Sequence, residues 1–206
     1  MNARTLTPTA AALGNLEEAF ARGNPLRFED ALERLGRNEA SGHLIVDDDC
    51  ELGFENVTAA GGAALRLESP HVASLKRWIG VLDEELDRGI FAAATARPAL
   101  SPEALERALE TDASGATAQL LAASEAYLFG YAREHAAYAP LLERHFAPYV
   151  AGAFVLDRLT IAAGGRLTIG TLPTLLLVRT LVLHDGGSIH ARVVLRADVG
   201  TFEKRS

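Results

Sequence analysis

At 206 residues the chain fits one large domain, or one domain carrying an insertion, and its 49% hydrophobic and 23% charged content is that of an ordinary globular protein. A net charge of −7, with Lys76 and Lys204 as its lysines and no basic cluster, excludes nucleic acid and anionic membrane surfaces as partners, since both are bound by neutralising negative charge. Cys50 is the one cysteine, which excludes an intramolecular disulfide and fits a reducing, cytoplasmic compartment.

Taken in order, Met1 to Gly14 has no apolar run of signal-peptide length. Nowhere does an apolar stretch reach the roughly 18 residues of a membrane span. Residues 15–36 are expected to form two short N-terminal capping helices, with Asn24-Pro25 as the restart and Gly36 as the stop. From His43 the apolar period changes to that of strands, with Asp47-Asp48-Asp49 as a turn. Ser69-Pro70 then opens a helical section. Val72, Leu75, Ile79, Leu82, Leu86 and Ile90 make one apolar stripe, predicting a continuous helix to about Arg88. A helix opens at Ser101-Pro102, a longer one spans about Ala116 to Ala139 and is stopped by Pro140, and a short one covers Leu141 to Phe146. Strand character returns from Val150 and lasts to Phe202.

The strand regions contain a repeat. Leu159-Thr-Ile161-Ala-Ala-Gly164-Gly165-Arg-Leu167 returns as Leu181-Val-Leu183-His-Asp-Gly186-Gly187-Ser-Ile189, each match offset by 22 residues. A fixed period of this size signals stacked, self-similar units. Val57-Thr-Ala-Ala-Gly61-Gly62-Ala-Ala-Leu65 reads as a weaker third copy. The repeat text resembles the coils of right-handed parallel β-helix proteins, a likeness of repeat style that transfers no functional residue. The expected fold is therefore α+β: a single domain with a short β-solenoid of about 22-residue coils, built from residues 43–68 and 153–202. A mostly α-helical insertion, 69–150, interrupts it. The alternative is an antiparallel β-sandwich or jelly roll with the same insertion, in which each Gly-Gly pair turns a hairpin.

Candidate chemistry is sparse. Tyr127, Tyr131, His135 and Tyr138 follow steps of 4, 4 and 3, which would place them on one helical face. That face could line a ligand pocket, or bind haem through His135, or simply pack its aromatic bodies against the β-element. His184, Asp185 and His190 flank a Gly-Gly turn and could converge on a metal, although a closed site needs three or four ligands. Asp47, Asp48, Asp49 and Glu51 could offer oxygens to Ca²⁺ but lack the spacing of an EF-hand loop. No nucleophile elbow, phosphate-binding loop or dinucleotide fingerprint is present. The strand-region charges are mostly Arg, without the paired carboxylates of a polysaccharide-active enzyme. The expectation is a non-enzymatic structural or interaction protein without a cofactor, a homo-oligomer or a docking module for a protein partner. A small-ligand, haem or metal-binding protein and a polysaccharide-active enzyme are the alternatives.

Overall fold

The computed structural model describes residues 25–95 and 97–206. They divide into two compact units, one containing residues 25–67 and 151–206 and the other Glu68–Val150. The part of the predicted capping helices at 15–24 lies outside the described residues.

The first unit begins with helix α1 (Pro25–Arg34), ended by Gly36 in the left-handed region at φ 66°. Phe28, Ala31 and Leu32 are buried along one face, as their 3-and-1 spacing dictates. Strands β1 (His43–Val46) and β2 (Asp49–Glu51), helix α2 (Phe54–Ala59) and strand β3 (Ala63–Ser69) follow. After the second unit the chain returns as β4 (Tyr149–Ile161), β5 (Arg166–Ile169), β6 (Thr174–His184), β7 (Ser188–Ala191) and β8 (Leu195–Arg205). One sheet runs β1-β4-β6-β8, with β3 also paired to β4, and a second runs β2-β5-β7. The pairs along both runs are parallel, and the architecture is α/β with mostly parallel strands in two sheets.

This arrangement corrects the expected β-solenoid, and equally the antiparallel sandwich. Short strands joined by tight corners were expected, but β4, β6 and β8 run for 13, 11 and 11 residues. The Gly-Gly pairs do not turn hairpins: the strands on either side of Gly164-Gly165 and of Gly186-Gly187 lie in different sheets, and Gly61-Gly62 follows helix α2. A constant offset reports neighbouring parallel strands in register, and two parallel sheets supply that without coils. Leu159 lies beside Leu181 and Leu167 beside Ile189, both at the 22-residue offset. The third copy is also relocated. Val57 sits in α2, and the segment that pairs with the repeat is 43–51, with Leu44 beside Leu159 and Cys50 beside Leu167.

The long strands are not simply alternating. Phe154 and Leu156 face the core, then Leu159 and Ile161; Leu176 and Val178, then Leu181 and Leu183. The three-residue steps at 156–159 and 178–181 shift the phase, and the strand pairing is interrupted at the same places, Asp157 with Arg179 and Arg179 with Gly200. A Cβ on Gly200 would lie 2.8 Å from the Arg179 carbonyl oxygen, so the bend needs glycine there. Arg179 stands at the bend, bonded to Asp157 (3.1 Å) and to Glu29 of α1 (3.0 Å). Its guanidinium also lies over the Phe28 ring, 5.2 Å from the centroid.

The second unit holds helices α3 (Val72–Ile79), α4 (Asp83–Asp87), α5 (Pro102–Glu110), α6 (Ala116–Phe129), α7 (Ala132–His135) and α8 (Ala139–Phe146). Ser101 caps α5 by accepting from the Ala104 amide at 3.3 Å. Two helices expected to be continuous are broken by glycine: the 70–88 stripe at Gly80, and the 116–139 helix at Gly130. Pro140 does not stop a helix but occupies the first turn of α8, where its missing N–H costs nothing. No described helix is long and apolar enough to cross a membrane.

Candidate functional site

The break at Gly130 decides the fate of the Tyr/His run. Tyr127 is buried on α6, whereas Tyr131 precedes α7 and stacks under the Arg133 guanidinium at 4.4 Å. His135 ends α7, and its ring centroid is 6.3 Å from that of Tyr138. Tyr138 is itself committed, its hydroxyl donating to the Leu100 carbonyl at 2.6 Å. The four therefore do not share one continuous helical face, because the helix that would have aligned them ends after Phe129.

His184 and His190 are also separated. His184 closes β6 beside Arg205, while His190 lies on β7 beside Thr168 in the other sheet, and Asp185 is exposed in the turn between. Among the described residues no three His, Cys, Asp or Glu side chains form a group able to hold a metal. Of the acidic run, the Asp49 amide donates to Asp48 Oδ1 at 2.8 Å and Asp49 Oδ1 lies 3.9 Å from Arg166. Cys50 Sγ accepts from Asn56 Nδ2 at 3.3 Å.

The most highly built polar arrangement was not among the expected sites. Lys76, only 5% exposed, directs its ammonium at the carbonyls of Gly130 (2.7 Å), Tyr127 (3.1 Å) and Leu128 (3.4 Å). It thereby caps the C-terminal end of α6, where unpaired carbonyls collect and a cation is favoured. Asp83 completes the pair at 3.3 Å and caps α7 by accepting from the Ala132 and Arg133 amides at 2.9 and 3.1 Å. Both charges thus come from the first broken helix, and they cap the two ends that the break in the second one exposes. The signal was present in the sequence: Lys76 sits inside the 72-75-76-79 stripe, where an apolar residue would be expected. Glycine at 80 permits the approach, since a Cβ there would lie 2.5 Å from the Leu128 carbonyl oxygen.

Burial pulls the Lys76 ammonium below its ordinary value, with the Asp83 charge opposing. Burial alone would raise the Asp83 carboxyl, but the two amide bonds and the Lys76 ammonium outweigh it and hold the group below 3.8. A carboxyl with a depressed folded-state pKa contributes stability above its unfolded value and loses it as the pH falls through the folded one. The stability of this unit should therefore drop on acidification from about pH 4, and Asp83→Asn should flatten that dependence while lowering stability at neutral pH. Urea unfolding at several pH values, followed by the single tryptophan, Trp78 of α3, reads this directly. An unchanged acid slope in the variant would refute the assignment.

Nearby, Tyr149 is 4% exposed and its hydroxyl is buried without a hydrogen-bond partner among the described residues. Burial first, then the Glu143 carboxylate and Tyr127, push its phenol well above the usual range. It is a neutral phenol at any ordinary pH.

The two ends of the first unit can be compared strand by strand. At the β1/β2 end the segment after β2 closes over the strands: Asn56 Nδ2 donates to the Glu51 carbonyl at 2.6 Å and the His43 amide to Ala60 at 3.0 Å. Partly buried residues line the core at both ends, Cys50, Phe54, Ala60 and Ala64 at this one and Ile189, Ala191, Leu195 and Ala197 at the β7/β8 one. Leu167 and Ile169 of β5 are fully buried, yet Ile189 and Ala191 beside them on β7 are only partly so. Leu195 and Ala197 of β8 are likewise half-covered. The Ser188 and Arg192 amides bond back to β5, so those of Ile189 and Ala191, alternating with them, point to the outer edge. No described strand pairs with that edge. Searches of protein-family models, curated proteins and solved structures find no significant match to the chain.

Proposed function

We propose that the chain is a non-enzymatic structural or interaction protein, cytoplasmic in location, that self-associates or docks a protein partner through the β7/β8 end of its parallel sheets. The observation that carries this reading is the β7 edge, with which no described strand pairs, beside partly buried core residues Ile189, Ala191, Leu195 and Ala197. Exposed strand edges are templates for pairing unless covered, charged or bent away. Adding a strand there would satisfy the β7 amides and bury the open end of the core at once. Cys50, a free and half-buried thiol, is compatible with a reducing compartment.

Light scattering behind size exclusion, over a wide concentration range, tests the reading. The expected result is a species heavier than 21.9 kDa that diminishes in Ile189→Lys. A strict monomer whose amides at 189 and 191 are slow to exchange would overturn it, because that end would already be covered within the chain.

A further inference from the structure

We draw no further inference here: the strongest candidate, the outer edge of β7 between the exposed Asp185 and Arg192 in the first unit, belongs to the docking surface already proposed, and nothing in the structure shows what covers it.

Discussion

Replacing Lys76 by methionine should destabilise the second unit by about 3 kcal/mol, the size expected when one partner of a buried ion pair is removed. Methionine keeps the length and most of the packing of the side chain, so the loss is chiefly electrostatic. Asp83 would be left without its ammonium, and the Gly130 and Tyr127 carbonyls would lose the donor that caps α6. The Leu128 carbonyl would keep the Val81 amide at 2.9 Å and so suffer less. Urea unfolding followed by Trp78 should show the midpoint falling by roughly 1–3 M, given slopes of about 1–3 kcal/mol/M for small domains. The contrasting variant is Arg133→Ala. It breaks a bidentate pair with Asp87 of 2.9 and 3.1 Å, but both side chains are about half exposed and the effect should be small. Equal losses in the two variants would sink the view that Lys76 holds the broken helices together. Adding Asp83→Asn to Lys76→Met should recover part of the loss, because it removes the stranded charge.

The same lysine shows how far the sequence could be read. Period and glycine placement located the strand regions, the helical section between them and the starts at Ser101 and Pro25, because those signals are local. The 22-residue offset was legible too, as Leu159 beside Leu181 shows, but a repeat in sequence states which residues are neighbours and not how strands are grouped into sheets. The β1/β2 pairing was missed because its corner is short. Asp47-Asp48 stands where Ala162 to Gly165 stands in the next strand pair, so the text no longer matches although the backbone does. Gly80 and Gly130 were misjudged for a different reason. A lone glycine inside an apolar stripe costs only about 1 kcal/mol, so the stripe outweighed it. What ends both helices is the tertiary contact between Lys76, Asp83 and the opposite backbone, which no local window contains. The Tyr127 to Tyr138 stripe failed with the helix that carried it.

In the first unit the largest effect is expected from Leu181→Ala. Leu181 is 0% exposed, paired with Leu159 on one side and Phe202 on the other, so its side chain fills the centre of a row crossing β1, β4, β6 and β8. Truncation removes the transfer energy of the lost methyl groups and leaves a cavity, together about 2–5 kcal/mol. The upper half of that range is the expectation here. The neighbours on both sides are held by ladder hydrogen bonds, and Leu183 and Leu159 keep their own places in the same core, so the walls cannot collapse inward. Ile45→Ala on β1 is the control, an equally apolar truncation at a position 57% exposed, where little burial is lost. Amide exchange across 175–183 reads the first unit separately, because the only tryptophan belongs to the other one. The protection of those amides should fall by at least about 30-fold in Leu181→Ala, which is 2 kcal/mol at 1.4 kcal/mol per decade, and barely change in Ile45→Ala. Similar losses in the two would mean that the Leu44-Leu159-Leu181-Phe202 row does not form the centre of the core.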